Sequence, residues 1–422
     1  MSTAIAPSKR RILAASMVGT AVEFYDFYIY ATATALLFGA LFFPSGDGTA
    51  EQLKAYATFG VAFVARPIGG IVFGHFGDRI GRKSTLVASL LLMGGSTMLI
   101  AFLPTYAHIG WVAPLLLCIL RFGQGFGLGG EWGGAALLAN ENAPKGWEAR
   151  YGTAPQQGAP IGFICANGLF LMIAALLSPA EFATWGWRIP FLASALMVAI
   201  GLWIRLKLTE TPAFAAERAV HEPLKVPLAA VLSSHWREMV LGTLASIACF
   251  MVFYIMTTFS LGYGTKVLHY SVKAYLGAQV AAIPFMALGV HLSGWLGDVH
   301  TSPRKVLMLG TLGTIIAGAL LPLMLIANAL FIVWLYLAFA AFVMGLVYGP
   351  LGAWLPSLFP VNMRYTGVSL TFNLAAILGG GVTLIVAQQL AVIGGLNYVG
   401  IYLASAGVVS LIALALSSNR TK

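Results

Sequence analysis

"GHFGDRIGRK" (Gly74–Lys83) and "SGWLGDVHTSPRK" (Ser293–Lys305) are two versions of one turn: Gly-Asp, a short gap, then basic residues, each time between two long apolar runs. A basic turn between runs of that kind reads as a loop joining membrane spans, and its recurrence later in the chain reads as an internal repeat. Composition agrees. Of 422 residues, 59% are hydrophobic and 9% charged, with a mean hydropathy of +0.86. A soluble domain holds roughly 45–50% apolar and 25% charged residues, so this is a polytopic membrane protein.

Working outward from the two turns, apolar runs fall at approximately 12–42, 55–76, 84–103, 111–139, 153–177 and 187–207, then 237–264, 272–297, 304–326, 330–358, 365–390 and 396–416. A helix needs about 20 apolar residues to cross a bilayer, so the expectation is an all-α membrane protein of twelve transmembrane helices, six and six. The only long polar connection, 208–236, then links an amino-terminal half (1–207) to a carboxy-terminal half (237–422). Of the 24 Lys and Arg, 18 fall on the side of the amino terminus and 4 on the other (Lys54, Arg188, Lys266, Lys273), with 2 inside spans (Arg66, Arg121). Basic residues favour cytoplasmic loops. Both termini and the linker are therefore expected in the cytoplasm, with the protein in the cytoplasmic (inner) cell membrane. The basic amino terminus followed by an apolar run has the outline of a signal peptide, but the run is about 30 residues long, holds two acids and offers no clear cleavage site. It is expected to stay as the first span. Parallel six-span halves are a layout of secondary carriers.

Several chemistries are absent from the sequence. "GDRIGRKST" half matches a phosphate-binding loop, but Arg82 stands where that loop needs glycine, and no strand leads in. No common hydrolase or redox motif occurs. Cys118, Cys165 and Cys249 lie inside apolar runs and read as small packing residues. The net charge of +10 is spread over loops instead of gathered on one face, which points to topology and not to nucleic acid. The expectation is a protein that is not an enzyme, with no cofactor, no metal site and no obligate protein partner.

The residues able to carry chemistry are the charges set in lipid-length runs, each of which costs a few kcal/mol there. In "GTAVEFYDFYIYATATALLFGALFF" (Gly19–Phe43), Glu23 and Asp26 are three apart and Tyr30 lies four further on, so all three share one side of a helix and suit a common cavity. The acids lie roughly 20 Å along that helix from its start, at 1.5 Å per residue, too deep to snorkel out. Span 2 holds Arg66, and span 4 holds Arg121, Gln124 and Glu131. A buried arginine presents a two-pronged donor to a carboxylate and does not escape burial by losing its proton. Two readings stand for these charges: a substrate and proton site, or structural ion pairs locking helices together. Gly125, Gly129 and Gly133 recur every four residues and read as close-packing positions; Tyr25, Tyr28 and Trp132 read as lipid or packing surface. The second half has no acid in the middle of its spans, leaving Tyr254, Gln279, Asn373 and Gln388 as polar candidates.

"AVEFYDFYIY", "FVARPIGGIVFGHFGDRIGRK", "LRFGQGFGLGGEWGGAALL", "EARYGTAPQQGAPIG" and "WGWRIPF", in this order through spans 1 to 6, resemble the metabolite:proton symporters of the major facilitator superfamily. The second-half turn departs from the family's usual D-R-x-G-R-R, reading "DVHTSPRK" here. The resemblance implies the major facilitator fold and proton-coupled import of a small carboxylated metabolite by alternating access. The alternative is a zwitterionic osmolyte such as a betaine or proline. A long helical tail found in some osmolyte carriers is not matched by "LALALSSNRTK", which disfavours an osmosensing role. The implied partners are a small organic anion, protons and the lipid bilayer. The roles expected on this reading are proton coupling at Asp26, Glu23 and Glu131, with Asp26 the more cavity-facing acid; substrate binding at Arg66, Arg121, Tyr30, Gln124, Gln156, Tyr254 and Asn373; and gating at Asp78, Arg79, Arg82 and Asp298. Asp78 would dock near Tyr365, at the amino end of span 11.

Overall fold

A computed structural model describes residues 9–80, 82–129, 131–207, 227–327, 329–360 and 363–417; within these, the side chains of 9–12, 15, 74–86, 131, 138, 141, 204–207 and 227–230 lie outside the description. The described residues are helical almost throughout, with no strand among them. Lipid imposes this, because a backbone that cannot bond to water must satisfy its own N–H and C=O groups, as a helix does.

Nine helices among the described residues are long and apolar enough to cross a membrane, and ten if the pair Pro179–Gly186 and Arg188–Trp203, bent by 46°, forms one span. Val87–Ile100 is a shorter apolar helix where span 3 is expected. Arg364–Leu416 is too long for one crossing and breaks at Gly394 and Gly395. Gly395 has φ +65°, a backbone region open to glycine at little cost. Spans 11 and 12 therefore meet where the sequence places their boundary. The other spans are Ser16–Phe42 (span 1), Gly48–Phe73 (2), Val112–Leu137 (4), Glu148–Leu176 (5), Trp236–Lys266 (7), Val272–Val299 (8), Pro303–Leu325 (9) and Leu330–Ser357 (10). Ser271 and Ser302 cap the starts of spans 8 and 9 by accepting from the Ala274 and Lys305 N–H groups.

Glycine sets which spans touch. A Cβ on Gly125 or Gly129 of span 4 would lie 2.2 or 2.0 Å from the carbonyl oxygens of Ala62 and Arg66 in span 2. The close-packing reading of those glycines holds. Spans 8 and 10 meet in the same way, with a Cβ on Gly289 or Gly345 falling 2.3 Å from the Phe342 or Met286 oxygen. Gly94 of span 3 faces Val198 of span 6, and Gly318 of span 9 faces Gly400 of span 12. The pairings 2 with 4 and 3 with 6 thus recur six spans later as 8 with 10 and 9 with 12, the packing counterpart of the repeated turn.

Candidate transport cavity

Spans 1, 2, 4, 5, 7, 10 and 11 converge on an internal cavity of about 40 Å³, room for about three waters. Among the described residues its charged groups are Glu23 and Arg66, which act on each other electrostatically. The wall around them is aromatic: Tyr28 of span 1, Trp132 of span 4, Phe253 and Tyr254 of span 7, Tyr348 of span 10 and Phe372 of span 11. Arg66 is only 7% exposed, its Nε has no hydrogen-bond partner, and its guanidinium lies 4.8 and 5.1 Å from the ring centres of Phe27 and Phe63. A buried cation with a spare donor beside an open space is equipped to receive an anion. Trp132 is fixed by its stack on Phe372 (ring centres 3.5 Å apart) and by Nε1, which donates to Gln156 Oε1 at 3.1 Å and to Tyr348 Oη at 3.3 Å. Asn373 also lines the cavity, and its Nδ2 donates to the Gly129 carbonyl at 3.1 Å, tying span 11 to span 4.

Asp26 faces elsewhere. It is fully buried and is not part of the cavity wall. Ser194 of span 6 donates to its Oδ1 at 2.5 Å, while Oδ2 has no partner. Gln124 Nε2 donates to the Asp26 backbone oxygen and to Thr97 Oγ1, both at 2.9 Å, and Gln124 Oε1 accepts from Arg121. Arg121 is fully buried in a box of Phe27, Tyr30 and Phe59, its guanidinium 4.5, 4.0 and 4.8 Å from their ring centres. Among the described residues neither Asp26 nor Arg121 makes an ion pair.

The ends of the bundle are tied by polar contacts. At the end carrying the basic turns, Asp298 of span 8 accepts from the backbone N–H groups of Ala149 and Arg150 (2.8 and 2.9 Å), and from Arg150 Nε at 2.9 Å. A carboxylate there satisfies the free N–H groups and the positive pole of the helix Glu148–Gln156. At the opposite end, Lys266 of span 7 donates to Gln52 Oε1, and Gln52 Nε2 donates to the Thr34 carbonyl at 3.1 Å.

The sequence model of the Major Facilitator Superfamily matches residues 16–383. The chain belongs to the major facilitator superfamily. It is 48% identical to the inner membrane metabolite transport protein YhjE of Escherichia coli (strain K12), over 97% of this chain and 94% of that one. It is 34% identical to the E. coli shikimate transporter, again over 97% and 94%, and 30% identical to the E. coli proline/betaine transporter, over 88% and 76%. Among solved structures, the E. coli xylose transporter XylE in a partially occluded inward-open conformation aligns with a TM-score of 0.74 at 17% identity, covering 96% of each chain, a likeness of fold. The chain is a multi-pass membrane transporter with the twelve-helix facilitator fold, and not an enzyme.

Within this transporter, Glu23, Arg66, Tyr254 and Asn373 of the expected site residues line one cavity. Asp26, Tyr30, Arg121 and Gln124 do not, which corrects the expectation that Asp26 is the more cavity-facing acid and that the three residues of span 1 share a cavity. Span 1 is enclosed by other helices, so neighbouring stripes of one side meet different partners. Tyr30 Oη pairs with Thr58 Oγ1 at 2.8 Å. Gln156 sits behind the wall, bracing Trp132 and donating to the Tyr348 carbonyl at 3.3 Å. The side chains of Glu131, Asp78, Arg79 and Arg82, and with them the docking of Asp78 near Tyr365, lie outside the described residues. Tyr28 and Trp132, expected as lipid or packing surface, line the cavity instead, as does Tyr348. The Trp132 signal was its place beside Glu131 and the glycines of span 4, where a close-packed helix face meets the path.

Proposed function

We propose that this transporter imports a small carboxylated metabolite with protons, by rocking of the halves 1–207 and 237–422 about the central cavity, with 208–236 as their cytoplasmic linker. Both termini would then lie in the cytoplasm of a cell whose inner membrane holds the protein. The observation that carries this reading is Arg66: one buried guanidinium, with an unpaired Nε, lining a central cavity beside Glu23. The substrate's carboxylate takes the place of Glu23 on Arg66, and Trp132, Tyr254 and Asn373 hold the rest of the molecule. Protons are carried by Asp26, in a niche of hydroxyls and amides apart from the substrate, with Glu23 and Glu131 as its partners in exchange. A buried carboxylate without an ion-pair partner is costly while charged, which ties its protonation to the arrangement of spans 1, 3, 4 and 6 around it. Asp298 on Arg150 and the Asp78–Arg79–Arg82 turn serve as gates at the cytoplasmic end. Counterflow into proteoliposomes, with and without a pH gradient, tests the reading; accumulation that needs ATP contradicts it.

The second reading, a zwitterionic osmolyte, draws on one observation: the aromatic wall facing Glu23 also suits an ammonium group, which binds over ring faces. The relatives include both a shikimate and a proline/betaine transporter. Competition between a ring carboxylate and glycine betaine for one site separates the two readings.

A further inference from the structure

A second cavity of about 10 Å³, the room of one water or one hydroxyl, lies behind the first. Three rings in mutual contact divide the two. Tyr28 lines both cavities, Phe253 only the larger and Phe163 only the smaller, with ring centres 5.2, 5.4 and 6.2 Å apart. The polar groups of the smaller cavity are all neutral, chiefly Thr32, Asn167, Thr257 and Gln279. Asn167 is 1% exposed; its Oδ1 accepts from Thr32 Oγ1 at 2.5 Å and its Nδ2 has no partner. Turning the amide over only exchanges which end is unmet, because Thr32 serves one end in either orientation. An unmet buried amide costs about 1–3 kcal/mol.

The opposite wall is held in place for the same space. Gln279 Nε2 donates to the carbonyls of Met256 (3.2 Å) and Thr257 (2.7 Å), which belong to a π-helical turn, Ile255–Phe259. Such widened turns leave carbonyls short of partners and are frequent at functional sites. Here a side-chain amide satisfies them and fixes the turn that brings Thr257 and Thr258 to the cavity.

We propose that the two cavities are the ends of one substrate site divided by the Tyr28 ring, and that the Asn167 end binds a hydroxyl of the substrate, which makes the substrate a hydroxylated carboxylate. This rests on the reading of Arg66 as the carboxylate's partner. A hydroxyl both donates and accepts, so it meets Asn167 in either orientation, whereas a permethylated ammonium leaves the amide unpaired. A site built to bond a hydroxyl rejects the analogue lacking it far more strongly than an apolar pocket rejects a missing methylene.

The test measures binding to the purified full-length protein of two probes, 3,4,5-trihydroxycyclohex-1-ene-1-carboxylate and cyclohex-1-ene-1-carboxylate. The parent is expected to bind the hydroxylated probe at least ~10-fold more tightly. Asn167→Leu should bring the two affinities to within about twofold, chiefly by weakening the hydroxylated probe. Thr32→Val, nearly unchanged in shape, should narrow the preference in the same direction and serves if Asn167→Leu does not fold. Equal binding of both probes by the parent, binding of neither, or a preference that survives both substitutions overturns the proposal. Arg66→Gln separates this from the underlying reading: it should weaken both probes alike, and if it leaves both unchanged while Asn167→Leu erases the preference, the carboxylate assignment falls and the hydroxyl site stands.

Discussion

Span 1 has two sides, and on each an acid lies in the same cluster as an arginine from another span. On the cavity side Glu23 and Arg66 line one open space among aromatic rings and act on each other electrostatically. On the sealed side the Asp26 carboxylate accepts from Ser194 and its backbone oxygen from Gln124, which also donates to Thr97 and accepts from Arg121. Phe27 stands between the sides, with the Arg66 and Arg121 guanidiniums 4.8 and 4.5 Å from its ring centre. The residue types are the same on both sides; access is what differs. A charged group that meets space can exchange partners with a solute, while one enclosed by hydroxyls and rings can change only its proton or its packing.

The comparison breaks most readily at the arginines. Arg66→Gln should lower transport efficiency by about 30-fold or more, since removing one member of a buried charge pair costs roughly 2–5 kcal/mol, and counterflow and driven uptake should fall together. If Arg66→Gln lost only pH-driven uptake and kept counterflow, the cavity side would be carrying the proton. The wall of the cavity gives a smaller effect. Trp132→Phe keeps the stack on Phe372 but removes the donations to Gln156 and Tyr348. Nε1 carries one N–H shared between the two acceptors, so at about 1 kcal/mol for that net hydrogen bond the half-saturating substrate concentration should rise roughly fivefold, and an unchanged value would remove Trp132 from the site.

The span count, the repeated turn and the boundary between spans 11 and 12 were all legible from hydropathy and glycine, because lipid leaves few ways to arrange a backbone. The side to which each acid turns was not. Glu23 and Asp26 differ by about 60° around the helix axis, and on a helix surrounded by others that is enough to hand one to the cavity and the other to span 6. Tyr28 and Trp132 were hidden for a compositional reason, as aromatic residues are ordinary in membrane helices and only convergence from several spans marks those that line a path. Gln156 carried a different ambiguity: its amide supports the wall from behind, a position that no single helix reveals.

The smallest effect expected lies at the end of the bundle, away from both sides. Asp298→Asn keeps the size but removes the charge that answers Arg150 and the Glu148–Gln156 helix start. In a protein whose only cysteine is Cys249, a cavity residue 2% exposed, maleimide labelling should rise a few-fold, in line with the ~0.5–2 kcal/mol such a charged cap contributes. Unchanged labelling would show that this contact does not hold the cavity closed.

The division of labour across span 1 is tested most directly by Asp26→Asn, measured for counterflow and for pH-driven uptake in the same vesicles. The substitution keeps the shape and supplies a permanently neutral group. If Asp26 carries the proton apart from the substrate, the variant exchanges labelled substrate at close to the parent rate and no longer accumulates it when a pH gradient is imposed. By reciprocity, substrate affinity in the variant should also lose its dependence on pH, because proton and anion raise each other's affinity by the same factor only while the proton can leave. An Asp26→Asn protein that accumulates substrate as well as the parent would contradict the account.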